Sequence, residues 1–366
     1  MTRVVYFLII LMNVACLAVR KRSRLVTLIT IIGAVLIMGG NNLNADYSGY
    51  DYYYRHQTYP ASMEWGYVWL SMLASGAGLS YQTFFLLLVT AGVTAMYFLA
   101  IRLSKNVHLF SVCYFLTMLP LDVVQVRQFI AFVIMAYALL FHCRGRKLLF
   151  CLMILLGTLF QVSTIVYLPM VFLNAERVSN KKFVKIFFIA ILVLCVFVFI
   201  NGNRIGFIGD LMSRYISDDK MVYFGTRTRF GFMKYFPFQF GMIYMAWLTE
   251  KYFTKQGRTD KIALYAQTIY VCVVYSSISM PLIMLNNNFS RFFKFALIAL
   301  LICLSRIYTE MANRRGGQKL KIPIIRGKVA GRSVLLMLSF AVVVAYHILM
   351  QTDSVVNDVL SNNMFF

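Results

Sequence analysis

The residues best suited to chemistry in this 366-residue chain are acids in a polar, aromatic stretch, DYSGYDYYYRHQTYPASMEWGY, from Asp46 to Tyr67. A carboxylate within hydrogen-bond reach of a hydroxyl group can act as a general base. The chain has only 13 Asp and Glu residues, so acids that lie away from basic links stand out. Glu64, Asp51 and Asp46 are therefore the candidate catalytic residues, with Glu64 and Asp51 placed first.

Arginines beside apolar runs are the second chemical feature. Arg127 follows LDVVQV and Arg291 ends NNNFSR, and charge in such surroundings is costly and often marks a site. Arg227 and Arg229 in TRTRF would point the same way in an extended segment, and their forked donors suit phosphate oxygens. The alternatives are arginines that extend to lipid headgroups and, for TRTRF, a solvated loop.

Amide and hydroxyl side chains accompany these arginines. Gln128 follows Arg127, Gln161 and Ser163 lie in the polar break FQVST, and Asn288 lies in the asparagine-rich turn. Such groups bond to sugar hydroxyls, and tyrosine and tryptophan faces stack on sugar rings. The same aromatic residues also suit the belt of any membrane interface, so the acids are the more informative part of the pattern.

Composition indicates the elements that must position these groups. The chain is 60% hydrophobic and 13% charged, with a mean hydropathy of +0.72, whereas soluble domains carry about 25% charged residues. The apolar residues come in blocks close to the ~20 residues that cross a bilayer as a helix. This predicts a polytopic, all-α integral membrane protein.

The net charge of +23 does not indicate nucleic-acid binding. Most Lys and Arg residues cluster in short links between apolar runs, where the positive-inside rule places them. The seven cysteines and four histidines form no CxxC or HExxH motif, so no zinc site, disulfide framework or haem attachment is expected. The N-terminal apolar run is followed, not preceded, by the charges RKRSR, which favours an uncleaved first helix over a signal peptide.

With the basic links taken as cytosolic, the pattern predicts one transmembrane domain, 1–366, with about twelve helices, some of them short or re-entrant. Both termini and the loops at about 41–80 and 201–234 lie outside. The predicted fourth, eleventh and twelfth helices are Val107–Leu121, Phe292–Leu304 and Ser333–Met350. Lys147–Leu173 is interpreted as two short helices meeting at an outward-facing cavity rather than one long helix, because one long helix would place the basic link AERVSNKKFVK outside. The polar break FQVST suits this interpretation, since irregular backbone is tolerated where it lines such a cavity.

The order of these motifs resembles that of EpsG/Wzy-type bacterial polysaccharide polymerases, which make O-antigen, capsule or exopolysaccharide. The motifs are EWGYVWLSML, VRQFIAFVI, LGTLFQVSTIVYLP and NNNFSRFFKF. Together they extend the resemblance from about Asp46 to Leu304.

The resemblance implies a GT-C-like helical bundle in the bacterial inner membrane, with an active site that faces away from the cytoplasm. Its implied activity is that of a membrane glycosyltransferase that joins polyprenyl-pyrophosphate-linked oligosaccharide repeat units. The expected partners are that substrate, membrane lipid and a chain-length regulator, with no nucleic acid. No cofactor is expected, and the lack of a DxD motif favours metal-independent chemistry.

The family motifs match individual residues of this chain. Asp46 and Asp51 match the acidic loop of the family, and Glu64 matches the acid before Gly-Tyr. Arg127 and Gln128 match the Arg-Gln pair, and Arg291 matches the late arginine. One position departs from the pattern, because Gln161-Val162-Ser163 stands where similar proteins commonly have His-Ser. Glutamine cannot accept a proton as a base, so this position is expected to bind substrate.

Three other functions fit parts of the pattern. A flippase for lipid-linked oligosaccharide would also need an outward cavity with arginines, although the chain lacks the internal repeat typical of alternating access. A ligase that passes finished glycan to another acceptor, similar to an O-antigen ligase, needs the same groups. A membrane acyltransferase would need a catalytic histidine, for which His56 alone has polar surroundings.

Overall fold

A computed structural model describes residues 1–173, 181–203, 230, 232–254, 256–313 and 353–366. Every named element within these ranges is helical. The helices are α1 Thr2–Ala18, α2 Arg24–Gly39, α3 Tyr47–His56, α4 Trp65–Gly76, α5 Tyr81–Ser104, α6 His108–Thr117, α7 Leu119–Val124, α8 Val126–His142, α9 Lys147–Thr158, α10 Lys181–Ile200, α11 Phe232–Thr254, α12 Lys261–Tyr275, α13 Met280–Leu285, α14 Arg291–Lys294, α15 Leu297–Asn313 and α16 Asp353–Ser361. Three 3-10 segments, Val162–Phe172, Ser276–Ser279 and Asn287–Ser290, connect some of them.

Several helices have the length and composition of membrane spans. Among the described residues, three spans are long and apolar enough to cross a bilayer: Tyr81–Ser104, Lys182–Ile200 and Lys261–Leu285. A fourth results if the pair Asn287–Lys294 and Leu297–Met311, bent by 42°, counts as one span. The predicted all-helical membrane fold is confirmed, whereas the count of about twelve spans is not.

Helix α5 connects the two ends of the molecule. At 24 residues it is about 36 Å long at 1.5 Å per residue. At its start, Gln82 donates to the carbonyl of Gly39 at 2.6 Å and accepts from the Tyr47 hydroxyl at 2.6 Å. Just beyond its end, the Ser305 hydroxyl donates to the carbonyl of Asn106 at 2.5 Å. The segments predicted to lie outside gather at the first end, which is called the outer end below. Those predicted to lie inside gather at the second end.

The two termini meet at the outer end. Arg3 donates to Asn357 at 3.2 Å and to Ser361 at 2.8 Å. Asn41, just after α2, donates to the carbonyl of Asn362 at 2.7 Å. The two termini therefore lie at the same end of the bundle, as the predicted topology requires.

The predicted hairpin within Lys147–Leu173 is confirmed. Helix α9 ends at Thr158, the backbone is extended at Gln161 (φ −149°, ψ 106°), and the 3-10 segment Val162–Phe172 packs back against α9. A contact of 3.0 Å between His142 Nε2 and the carbonyl of Met170 places the far end of this segment beside the end of α8. The break between the two segments therefore lies at the outer end.

The predicted outer loop at 41–80 lies between α2 and α5 and contains α3 and α4. Two predicted helix boundaries were wrong. The predicted helix Val107–Leu121 divides near Pro120, whose ring and missing N–H suit the first turn of a new helix, α7. The predicted helix Phe292–Leu304 divides after Lys294 and continues to Asn313, because the charged side chains of its last turns pair with one another and with the adjoining link.

Other predictions lie outside the described residues. These are Arg227 and Arg229, most of the loop at 201–234, and the twelfth helix, Ser333–Met350.

Candidate active site

A polar cavity of about 400 Å³, here called the outer cavity, opens at the outer end of the bundle. It is formed by residues from five segments: the start of α3, the α3–α4 link, the α7–α8 junction, the α9 hairpin and the end of the asparagine-rich turn. Its polar lining includes Asp46, Gln125, Arg127, Gln128, Gln161 and Arg291. Five of the residues predicted from sequence therefore share one cavity: Asp46, Arg127, Gln128, Gln161 and Arg291.

The α7–α8 junction aims two of these side chains. The backbone leaves helical geometry at Gln125 (φ −103°, ψ 54°). Its N–H closes α7 by donating to Leu121, and its carbonyl opens α8 by accepting from Phe129, both at 2.9 Å. Arg127 and Gln128 consequently lie in the first turn of a new helix at the cavity wall.

Arg127 is held from three sides. Its Nη1 forms an ion pair with Glu64 Oε2, and its Nε donates to the Tyr50 hydroxyl at 2.8 Å. The guanidinium carbon lies 5.1 Å from the centre of the Tyr50 ring and 5.8 Å from that of the Tyr67 ring, within the range of cation–π attraction. With 22% of its side chain exposed, Arg127 has a fixed direction and still reaches the cavity.

The motif Glu-Trp-Gly-Tyr at 64–67 has a structural explanation. Gly66 N donates to the carbonyl of Leu159 at 2.9 Å, and a Cβ at Gly66 would lie 2.7 Å from that oxygen. Only glycine allows this approach of α4 to the α9 hairpin, which brings Glu64 Oε1 to 3.3 Å from the N–H of Val162. The same turn places Tyr67 against Arg127, so Glu64, Gly66 and Tyr67 together orient that arginine.

The three predicted catalytic acids have different surroundings. Both Glu64 oxygens accept hydrogen bonds, and Asp51 pairs with Arg55 at 2.8 Å, with neither acid lining the cavity. Asp46 does line it, and its carboxylate has no hydrogen bond or ion pair among the described residues. Burial raises the pKa of Asp46, while the charges of Arg127 and Arg291 act in the opposite direction.

The side chains predicted to bind sugar differ in whether they line the cavity and in whether their polar atoms are free to bond to a ligand there. Gln128 is 3% exposed, and its Nε2 has no hydrogen-bond partner among the described residues. Buried donors are nearly always paired, so a group at the cavity wall that can still donate suits a ligand oxygen. Gln161 also lines the cavity. Ser163 does not line the cavity, and its buried hydroxyl has no hydrogen-bond partner in the described part of the chain.

A smaller pocket of about 150 Å³ adjoins the outer cavity. The two share Gln125 and Arg291, and the smaller one adds Asn287, Asn288 and Lys294. Arg291 has no hydrogen bond or ion pair with any other described residue. Lys294 is 5% exposed and interacts electrostatically with Asp122. Arg291 and Lys294 therefore line the smaller pocket together, and Arg291 also lines the outer cavity that contains Asp46.

Three of these residues were not predicted from the sequence: Tyr50, Gln125 and Lys294. Gln125 precedes Gln128 by three positions and Lys294 follows Arg291 by three, and residues at this spacing share a helix face. That spacing could have identified both. The contact of Tyr50 with Arg127 depends on tertiary packing and has no sequence signal.

Comparison with known families decides the class of protein. The model of the EpsG family matches residues 24–326, which is most of the chain and includes every residue of the outer cavity. The chain belongs to the EpsG family. No curated protein and no solved structure matches it. Membership of the EpsG family, together with the apolar helices, indicates a membrane protein with a polymerase type of function in polysaccharide biosynthesis.

Proposed function

We propose that this EpsG-family protein joins polyprenyl-pyrophosphate-linked oligosaccharide repeat units by glycosyl transfer at the outer face of the bacterial inner membrane. The observation that carries the proposal is the outer cavity, in which the unpaired carboxylate of Asp46 faces two guanidinium groups, those of Arg127 and Arg291.

Asp46 is the proposed general base. As the acceptor hydroxyl attacks the anomeric carbon of the donor sugar, its proton passes to the Asp46 carboxylate. The raised pKa of Asp46 suits this task, because a base is most effective when its pKa is closer to the working pH. Gln128 and Gln161 would bond to sugar hydroxyls and hold the acceptor in place.

Arg291 and Lys294 are proposed to hold the leaving group. Breakage of the bond between the anomeric carbon and the phosphate oxygen releases polyprenyl pyrophosphate, and fixed cations stabilise the charge that develops there. Arg291 belongs to both pockets, so it would touch the pyrophosphate next to the reacting bond. Lys294, on the same helical face, would contact the other phosphate of the leaving group, the one bonded to the polyprenyl chain, in the smaller pocket.

The test is Arg291→Gln in a strain that lacks the native gene, with glycan chain length and the lipid-linked intermediates both measured. Arg55→Gln is the matched control, since it removes the same charge from the outer end at a side chain that is 71% exposed and lines neither pocket. We expect Arg291→Gln to abolish long chains and Arg55→Gln to leave them unchanged.

The lipid-linked intermediates that accumulate distinguish this function from the alternative functions. Single repeat units that accumulate on the outer face support a polymerase, whereas units that accumulate on the inner face would indicate a flippase. Polymer of normal length that fails to reach its final acceptor would indicate a ligase.

A further inference from the structure

A third pocket, of about 300 Å³, lies at the opposite end of the bundle and has no part in the chemistry proposed above. Four cations line it: Arg22, Lys105, Arg258 and Arg306. They come from separate parts of the chain, namely the α1–α2 link, the end of α5, the α11–α12 link and α15. The lining includes one acid, Glu310. This site is called the inner pocket below.

Half of this positive charge is neutralised within the protein. Glu310 accepts from Arg258 at 2.7 and 2.8 Å and from Arg306 at 2.6 Å, and Arg258 also donates to Asp260. The side chains of Arg22 and Lys105 have no ion pair or hydrogen bond with any described residue. The pocket therefore presents two available cations beside two fixed ones.

Hydrogen bonds hold the α1–α2 link, which carries Arg22. The Tyr308 hydroxyl donates to the carbonyl of Leu17 at 3.1 Å, which fixes the end of α1 against α15. His108 accepts from the N–H of Ser23 through Nε2 at 3.2 Å. Its Nδ1 must then carry the proton that bonds to Asn13 Oδ1, 2.8 Å away. The α1–α2 link is thus tied both to α15 and to the start of α6.

Lys105 has a strained backbone. Its φ is +63°, a left-handed conformation that costs a residue with a side chain about 1–2 kcal/mol relative to the right-handed one. Glycine would satisfy this helix end without strain. A lysine that stands here despite the cost is placed at the mouth of the pocket, and such strain is often found at functional positions.

We propose that the inner pocket binds a phosphate group, with Arg22 and Lys105 as its principal ligands. Basic residues that only set membrane orientation need not converge, since the positive-inside rule depends on their side of the membrane and not on their contacts. Here four cations from separate elements surround one space on the side where the basic links lie. A phosphate there could belong to an anionic lipid headgroup or to a soluble phosphate compound.

The test uses purified full-length protein, delipidated in detergent. Its probes are inorganic phosphate, phosphatidylglycerol and, as the zwitterionic reference, phosphatidylcholine. Binding is followed by the shift in the midpoint of thermal unfolding and by native mass spectrometry. The variant is Arg22→Gln with Lys105→Gly, where glycine suits the backbone at position 105. The matched control is Arg144→Gln with Arg146→Gln, which removes two positive charges from the α8–α9 link and none from the pocket.

We expect the pocket variant to lose at least about tenfold in phosphate-probe affinity and the control to retain it, since ligand-induced stabilisation follows affinity. Binding of phosphatidylglycerol alone would identify a lipid headgroup as the source. Binding of inorganic phosphate as well would identify the phosphate group itself. Equal losses in both variants, or no binding of either probe by the wild type, would overturn the proposal.

Discussion

Beside the outer cavity Glu64 holds a single arginine, Arg127, whereas in the inner pocket Glu310 is shared between Arg258 and Arg306. Each acid uses both of its oxygens, and each lies among side chains that the fold has largely removed from water. Each of these acids therefore fixes the direction of its arginines. Some other charged groups nearby have no ion pair with any described residue.

The groups that remain available distinguish the two sites. In the outer cavity they are Asp46 and Arg291, an acid and a cation across one opening. In the inner pocket they are Arg22 and Lys105, both cations. A carboxylate that faces cations can take a proton while the cations receive an anionic leaving group. Cations alone can bind an anion but supply no base, which is why we assign a reaction to one end and binding to the other.

Asp46→Asn tests the reactive end and has the largest expected effect. Because general bases typically contribute a factor of 10² to 10⁴, we expect the rate of polymer formation to fall by at least about 100-fold. Asp51→Asn, which removes an acid already paired with Arg55 outside the cavity, should stay near the wild-type rate. The measurement is glycan chain length for variants present at equal amounts in the membrane. A wild-type rate for Asp46→Asn would remove the proposed base.

The difference in stability between the wild type and Asp46→Asn should depend on pH. Burial raises the pKa of Asp46, so the folded state binds this proton more tightly than the unfolded state, and the charged form opposes folding at neutral pH. Asp46→Asn should then unfold at a higher temperature than the wild type at pH 7. This advantage should shrink as pH falls through the Asp46 pKa. A wild type that is more stable than the variant at neutral pH would contradict this sign.

Glu64→Gln and Glu310→Gln compare the two paired acids directly. Each substitution keeps the shape of the side chain but leaves charged arginines with a neutral partner, which should cost about 1–3 kcal/mol of stability. Glu64→Gln should also shorten glycan chains, because Arg127 loses its fixed direction. Glu310→Gln should leave chain length unchanged. Thermal unfolding and chain-length analysis of both variants provide the comparison, and equal loss of polymer in both would mean that the two ends are coupled.

That the site residues lie together could be predicted from sequence, because the sequence predicts on which side of the membrane each segment lies. The basic links place Asp46, Arg127, Gln161 and Arg291 at one end of the membrane, and a bundle has few polar openings at one end. The hairpin of Lys147–Leu173 followed from the same rule. The wrong boundaries arose where a predicted helix divides, near Pro120 and after Lys294, and where paired charges extend α15 beyond Leu304.

The choice among the acids could not be predicted, because it depends on local structure in a segment interpreted as a loop. Asp46 and Asp51 are five positions apart, which on a helix separates their directions by about 140°. Once α3 forms, the two acids cannot face the same cavity. The role of Glu64 depends on contacts with residues 63 and 98 positions further along the chain, and no spacing rule identifies such partners.

Arg20→Gly has the smallest expected effect and tests whether side chain or backbone matters at the inner pocket. Arg20 shares the left-handed backbone of Lys105, with φ +57° against +63°, but it does not line the pocket. Glycine relieves the backbone strain and adds freedom to the unfolded chain, so the net change in stability should be within about 1 kcal/mol. Phosphate affinity, measured by the same thermal shift, should equal that of the wild type.

Lys105→Gly alone is the paired measurement. It makes the same backbone change, yet it should weaken phosphate binding because it removes a charge at the pocket. If both glycine variants lost affinity equally, the shape of the links rather than the lysine ammonium group would determine binding. A difference between them assigns the effect to the side chain, since the two positions share their backbone conformation and differ in whether they reach the pocket.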